Sequence, residues 1–257
     1  MTSRFLKGAM KGIDLAIAAT EPSEYIYDGD NFTDFDNDTD ESEGGYIITG
    51  QGAETAAQIA LLPGIALQIG TEGAGTTDSF HMTRQTAVGA FDFTIDSGRR
   101  LAYETRFRVN QADEIGLFFG LAQAATITED NLLTDDTGVL GLYSLVGFHA
   151  LISATEVVVD GVSGILAGAT QTGANAMTDT ETGLFNTCGF RFDGYETIDW
   201  YLNNEKFATQ TIVAATFPTG ESLLPTWSVK GGETVAKNVK VDYWTCVQDL
   251  LSSDRPE

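Results

Sequence analysis

Residues 188–210 read CGFRFDGYETIDWYLNNEKFATQ, and this stretch decides the fold class. Apolar and polar residues alternate through 197–202, which is the period of a half-buried β-strand, and 188–192 has the same strand-like character. Asp193-Gly194 and Asn203-Asn204 are dipeptides typical of tight turns. The stretch therefore predicts three short strands that are joined by tight turns.

Similar signals continue on both sides of this stretch. LAYETRFRV (101–109) alternates cleanly, and IGLFFGL (115–121) is a continuous apolar run that suits a strand covered on both faces. Residues 223–229 and 235–247 close the set. Short strands separated by turn residues predict an all-β fold, a two-sheet antiparallel jelly-roll sandwich.

Two further segments predict a short helix and a hairpin turn. Residues 53–62, AETAAQIALL, are expected to form one or two helical turns that end at Pro63-Gly64. Asp160-Gly161 lies between 156–160 and 162–166, and this dipeptide predicts a hairpin turn. The sequence thus predicts one short helical segment and one hairpin within an otherwise all-β sandwich.

The charge of the chain restricts its partners. With 37 acids against 14 bases among 257 residues, the formal net charge is -23. Nucleic acid and anionic membranes are not expected partners, because both are bound through clustered Lys and Arg. Cys188 and Cys246 lie in apolar runs and are predicted to be buried thiols, with a disulfide between neighbouring strands as the alternative.

Two segments stand apart from the strands. Residues 1–24 are interpreted as an arm, since residues 1–13 contain three bases and no acid. Residues 28–43 contain eight acids and no base. Their alternating aspartates favour a solvated acidic loop, with calcium as the alternative, because Thr39 and Gly45 depart from the EF-hand pattern.

Four pieces of the last third carry a family resemblance. They are GFRFDG (189–194), IDWYLNNEKFATQ (198–210), LPTWSVKGG (224–232) and KNVKVDYWTCVQ (237–248). The second resembles a hairpin, and the last the closing strand, of concanavalin-like and laminin-G-like jelly rolls. The whole arrangement is similar to jelly-roll virion structural proteins of tailed bacteriophages, of the capsid decoration or cement type.

This resemblance implies a domain organisation and a function. The chain would comprise an arm (1–24), a jelly roll (25–248) and a tail (249–257). It would be a non-enzymatic trimer or dimer, made in the host cytoplasm, that decorates the capsid surface by binding the major capsid protein. The residues expected to dock on the capsid are Arg4, Phe5, Leu6, Lys7, Lys11 and Ile13.

A catalytic motif and a zinc-binding cluster are absent from the sequence. A retaining glycosidase needs two carboxylates close together on one face of a strand. The pair that comes nearest to this requirement is Glu196 and Asp199, but its spacing of three puts the two acids on opposite faces of a strand. His81 and His149 have no partners that would suggest a Ser/His/Asp triad or a zinc site. We therefore expect no enzyme, no cofactor and no catalytic or metal-ligating residue.

The alternative function is a carbohydrate-binding, lectin-like module for host-surface glycans. Aromatic side chains are the usual platform for sugars, and five lie in predicted strands: Trp200, Tyr201, Trp227, Tyr243 and Trp244. Aromatics at strand spacing are mostly core residues. An exposed aromatic cluster on one sheet face would distinguish this function from capsid decoration.

Overall fold

A computed structural model describes most of the chain from residue 25 onward. The described residues are 25–30, 46–51, 54–61, 64–71, 79–84, 92–109, 114–123, 132–134, 137–153, 158–166, 170–172, 177–178, 184–232 and 237–249. Among them no helix is long and apolar enough to span a membrane. The predicted arm (1–24) and residues 250–257 of the predicted tail (249–257) lie outside these residues, whereas Asp249 belongs to the last strand.

The described residues are organised almost entirely as β-strands. In chain order these are β1 (Tyr25–Asp30), β2 (Tyr46–Gln51), β3 (Glu54–Leu61), β4 (Gly64–Thr71), β5 (Ser79–Arg84), β6 (Phe93–Thr94), β7 (Leu101–Val109), β8 (Ile115–Gln123), β9 (Leu133–Thr134), β10 (Val139–Leu140), β11 (Leu145–Ala150), β12 (Val158–Gly164), β13 (Thr170–Thr172), β14 (Met177–Thr178), β15 (Asn186–Phe192), β16 (Thr197–Leu202), β17 (Glu205–Thr211), β18 (Ser222–Gly231) and β19 (Lys237–Asp249). A 3-10 turn spans Ala214–Thr216.

The strands form two antiparallel sheets, which confirms the predicted all-β sandwich. The first sheet has the order β17-β16-β15-β7-β19-β4-β3, and β1 also pairs with β19. The second has the order β13-β12-β11-β8-β18-β5-β2, with β14 beside β12 and β6 beside β18. β9 and β10 pair only with each other.

A continuous apolar core lies between the sheets. Trp200, Phe190 and Phe148 meet there with ring centroids 5.2 to 6.4 Å apart, and Trp227 lies 5.4 Å from Trp244. All three tryptophans are buried, as expected of aromatics at strand spacing. Their burial stabilises the sandwich and leaves no tryptophan on a sheet face.

A second apolar cluster lies on the outer face of the second sheet. β9 and β10 contribute Leu133 and Leu140 to it, and β11 contributes Leu145. These residues pack on Phe118 of β8, so every residue of β8 is buried. The prediction that 115–121 is covered on both faces is therefore confirmed.

Two local predictions are wrong. Residues 54–61 form a strand paired with β4, so pairing in the sheet overrides the helical tendency of an alanine-rich segment. Residues 158–164 form one continuous strand and no hairpin turn at Asp160-Gly161. Gly161 is required for packing, since a Cβ there would lie 2.6 Å from the Trp200 ring.

The hairpin between β16 and β17 has the predicted form. Asn203 and Asn204 have φ angles of 47° and 73°, the left-handed conformation that a tight two-residue hairpin requires. Cys188 and Cys246 are buried free thiols, as predicted. They lie on β15 and β19, and β7 runs between these two strands.

Candidate functional site

A cleft opens where the turn after β15 meets the segments beside β6 and after β17. Its volume is about 260 Å³. We call it the end cleft. Its lining residues are Asp96, Ser97, Phe192, Tyr195, Glu196, Ile212, Ala214, Phe217 and Thr219.

The turn 193–197 is fixed by one carboxylate. Asp193 Oδ1 accepts hydrogen bonds from the N–H groups of Tyr195, Glu196 and Thr197 at 2.8, 2.9 and 3.1 Å. Asp193 Oδ2 accepts from Thr197 Oγ1 at 2.7 Å. Gly194, at φ +89°, packs close to the Arg99 backbone. The backbone of Tyr195 and Glu196 is therefore held in one conformation at the cleft.

Backbone hydrogen bonds join the walls of the end cleft. Ile212 N donates to Glu196 O at 2.8 Å, and Gly98 N donates to Gly194 O at 2.7 Å. Phe192 and Phe217 pack with ring centroids 5.3 Å apart, and both are buried. The cleft thus combines an apolar aromatic base with a rigid polar rim.

Two carboxylates and one exposed aromatic ring define the chemistry of the end cleft. Asp96 and Glu196 supply the carboxylates, and no Lys or Arg is among the described lining residues. The side chain of Tyr195 is 70% exposed, against 37% for Phe207, the other large aromatic exposed in the described residues. The arrangement offers hydrogen-bond acceptors beside an open aromatic face.

Asp193 adds a further negative charge beneath the turn. Partial burial acts to raise the pKa of its carboxyl, but the hydrogen bonds from Thr197, Tyr195 and Glu196 outweigh it and lower that pKa. Asp193 is therefore ionised at neutral pH.

A second cleft, of about 520 Å³, lies on the outer face of the second sheet. His149 and Asp160 face each other there across β11 and β12, and His149 Nε2 lies 2.7 Å from Gly138 O. Burial lowers the pKa of His149, although Gly138 and Asp160 oppose the shift, so the ring is neutral at pH 7. Apart from Ser153 the other described lining residues are aliphatic: Val139, Leu140, Leu151, Ile152, Val158 and Val162.

A buried carboxyl lies on the outer face of the first sheet. Glu104 is 2% exposed, and its Oε1 accepts a 2.8 Å hydrogen bond from Tyr243 Oη. Burial raises the pKa of Glu104 to about 7, and the Tyr243 hydrogen bond opposes this only in part. On the same strand, Arg106 forms an ion pair with Asp242.

The structure separates the acid pair considered in the sequence. Glu196 lines the end cleft, whereas Asp199 lies on β16 and accepts from Thr209 Oγ1 at 2.5 Å and from Lys206 Nζ at 3.4 Å. His81 and His149 both belong to the second sheet, on β5 and β11, with two strands between them.

Several predicted features lie outside the described residues. They include all six capsid-docking candidates, Arg4, Phe5, Leu6, Lys7, Lys11 and Ile13, and the acidic loop beyond Asp30. Where the structure does describe the chain, no group of three or more His, Cys, Asp or Glu side chains could hold a metal ion. Docking through the arm and calcium binding by the loop stay predictions.

Sequence reasoning missed Tyr195 and Asp96 as site residues. The signal available for Tyr195 was an aromatic residue directly after Asp193-Gly194, where the turn prevents its burial in a strand. Asp96 had no such signal, because its place in the same cleft as Glu196 depends on the pairing of distant strands.

Comparisons with known proteins identify the fold. No family model matches the chain, and no curated protein does. Peanut lectin is 14% identical with a TM-score of 0.56, covering 89% of this chain and 99% of that one. The Emp46p carbohydrate recognition domain is 10% identical with a TM-score of 0.54, covering 84% and 94%. A family 16 endo-glucanase from Bacteroides ovatus is 13% identical with a TM-score of 0.53, covering 84% and 98%.

These likenesses establish a concanavalin-like jelly roll. They lend no support to a capsid-decorating role, so that role and its partners stay predictions. The expectation that the chain is not an enzyme is overturned, because a glycoside hydrolase has the same fold. The lack of an acid motif on one strand was insufficient ground, since Asp96 and Glu196 line one cleft from distant parts of the chain.

Proposed function

We propose that this protein binds carbohydrate, and that the end cleft holds a sugar ring against Tyr195. The observation that carries the proposal is a 70% exposed tyrosine beside two carboxylates, over a base of packed phenylalanines. Exposed aromatic rings on a rigid support favour ligands with an apolar face.

The lining of the end cleft suits both the apolar face and the polar edge of a sugar ring. One face of a sugar ring carries C–H groups, which pack on an aromatic ring. Its edge carries hydroxyl groups, which donate to carboxylates such as Asp96 and Glu196. Ser97 and Thr219 line the same cleft and add hydroxyl groups that donate and accept.

The site is organised before a ligand arrives. The four hydrogen bonds to Asp193 fix the 193–197 turn, and the Ile212–Glu196 backbone hydrogen bond ties it to the segment after β17. A fixed site loses less conformational entropy on binding than a loop that must be ordered. This favours recognition of a weakly binding ligand such as a sugar.

The fold neighbours support the same function. Peanut lectin and a protein named as a carbohydrate recognition domain share the two-sheet arrangement with TM-scores of 0.56 and 0.54. The hypothesis of a carbohydrate-binding module thus has support from the fold, although the exposed aromatic ring does not lie where that hypothesis placed it. That hypothesis required aromatics on a sheet face, whereas Tyr195 lies in a turn between β15 and β16.

The test is a glycan array followed by calorimetric titration of the strongest neutral ligand. We expect Tyr195→Ala to weaken binding about tenfold or more, which corresponds to about 1.4 kcal/mol. Tyr195→Phe retains the ring and should stay within about threefold of the parent affinity. Phe207→Ala, which removes an exposed aromatic outside the cleft, is the matched control.

Absence of any glycan ligand would contradict the proposal. So would a ligand whose affinity is unchanged by Tyr195→Ala, because the site would then lie elsewhere.

A further inference from the structure

The charges at the end cleft all have one sign. Asp96 and Glu196 line it, and Asp193, with its lowered pKa, lies beneath the turn that carries Tyr195. Glu196 is exposed, so its carboxylate is open to a ligand. A sugar in contact with Tyr195 therefore lies in a negative field.

No Lys or Arg side chain of the described residues lines the end cleft. The bases nearest in sequence are Arg191, which precedes Phe192, and Arg99 and Arg100, which follow the 96–98 turn, and none of the three is a lining residue. Arg100 Nε donates instead to Asp249 Oδ2 at 2.6 Å. Asp96 and Glu196 are therefore the charged side chains among the described lining residues. The net charge of -23 acts in the same direction.

We propose that the end cleft selects sugars that carry a free, protonated amino group, such as glucosamine units. This inference rests on the proposed function and adds the class of sugar. An ammonium group offers three N–H donors, and its hydrogen bonds to carboxylates are stronger than those of a hydroxyl. Sugars with a carboxylate or sulfate would be repelled by Asp96 and Glu196.

The two carboxylates and the ring have separate tasks. Tyr195 holds the ring face of any sugar, whether charged or neutral. Glu196 and Asp96 distinguish an amine from a hydroxyl or an acetamido group at the ring edge. Replacing a carboxylate by its amide keeps an acceptor for hydroxyl groups and removes the charge, so it should lower the affinity for the amine more than the affinity for neutral sugars.

The experiment compares three matched trisaccharides by calorimetric titration in 150 mM salt at pH 5.5. They are the glucosamine trimer, its fully N-acetylated form and cellotriose. At this pH amino sugars are protonated and carry a positive charge, and aspartate and glutamate are generally ionised and carry a negative charge. We expect the glucosamine trimer to bind roughly fivefold more tightly than either neutral trimer.

Two variants test which residues are responsible. Glu196→Gln and Asp96→Asn should each reduce the amine preference to about twofold or less. Each amide keeps an acceptor for sugar hydroxyl groups, so the affinity for cellotriose should fall less than that for the glucosamine trimer. Glu205→Gln, which removes an exposed acid in the β16–β17 hairpin, is the control for the general charge of the chain and should preserve the preference.

The outcomes separate this inference from the function on which it rests. Equal, Tyr195-dependent binding of all three trimers would overturn the amine preference and leave carbohydrate binding intact. Tighter binding of a galacturonate trimer, or an equal effect of Glu205→Gln, would also overturn it. If no trimer binds and the glycan array is empty, the proposed function fails as well.

Discussion

Gly161 of β12 lies directly against the indole ring of Trp200 of β16, so that a Cβ at position 161 would be 2.6 Å from the ring. The two residues belong to opposite sheets, and Trp200 is fully buried between them. Trp200 Nε1 also donates to Gln210 Oε1 at 3.0 Å, which fixes the ring. The close approach of the two sheets at this point therefore requires glycine.

Gly161→Ala should lower the free energy of unfolding by about 1–3 kcal/mol, because an added methyl group over-packs a rigid core. Urea denaturation measures the change. In a Trp200→Phe background the same substitution should cost less, since a smaller ring leaves room. Equal costs in both backgrounds would show that the indole is not the cause.

Glu104 should make stability depend on pH in an unusual direction for a carboxyl. Its pKa is about 7 in the folded chain and near the ordinary value of 4.5 when unfolded, so folding favours the protonated form. This stabilisation is present below pH 4.5 and is lost as pH rises through 7. The difference corresponds to about 3 kcal/mol.

Glu104→Gln should remove that dependence, because a neutral amide has no proton to lose. Between pH 5 and pH 8, the unfolding free energy of the parent should fall by up to about 3 kcal/mol more than that of the variant. Parallel pH profiles for the two proteins would mean that Glu104 titrates normally.

The β16–β17 hairpin should depend on Asn204, whose φ is 73°. Asparagine tolerates the left-handed conformation because its short polar side chain can form local hydrogen bonds, and alanine has no such group. Asn204→Ala should therefore lower the free energy of unfolding by about 1 kcal/mol. Thermal unfolding measures the loss, and Glu205→Ala, one residue further along, is the control. Asn204→Gly should instead be neutral or slightly stabilising, and a loss there would contradict this explanation.

Asp193 should control sugar affinity without being a ligand-contacting residue. Asp193→Ala removes the acceptor of four hydrogen bonds that hold Tyr195 and Glu196 in place, so titration with a neutral sugar should show roughly tenfold weaker binding. Asp193→Asn retains Oδ1 as an acceptor and should keep most of the affinity. Full affinity in Asp193→Ala would mean that the turn is not prearranged by this residue.

The sequence predicts most strands correctly where their periodicity is local. Residues 101–109 and 197–202 alternate with period two, so the core face can be read without knowledge of their partners. In β7 the opposite face is also buried at Ala102 and Glu104, which the alternation does not indicate. Gly161 was misinterpreted as a turn because its role is set by Trp200, which lies 39 residues further along the chain. Glycine permits a turn and a close approach equally well, and only the sheet pairing decides between them.

The end cleft could not be predicted for a related reason. Asp96 and Glu196 are 100 positions apart, and both line the end cleft because the chain after β6 and the chain after β15 border it. The acid pair that the sequence did suggest, Glu196 and Asp199, is separated by the start of a strand. Proximity along the chain was therefore a poor guide to which carboxylates share a site.

Sugar binding in the end cleft is tested most directly by a nitrogen–proton NMR titration with the strongest glycan ligand. We predict that the amide signals of Ser97, Tyr195, Glu196 and Thr219 shift progressively with ligand, while those of His149 and Asp160 in the cleft on the second sheet stay in place. Shifts concentrated at His149 and Asp160, or no shifts at saturating ligand, would contradict the account.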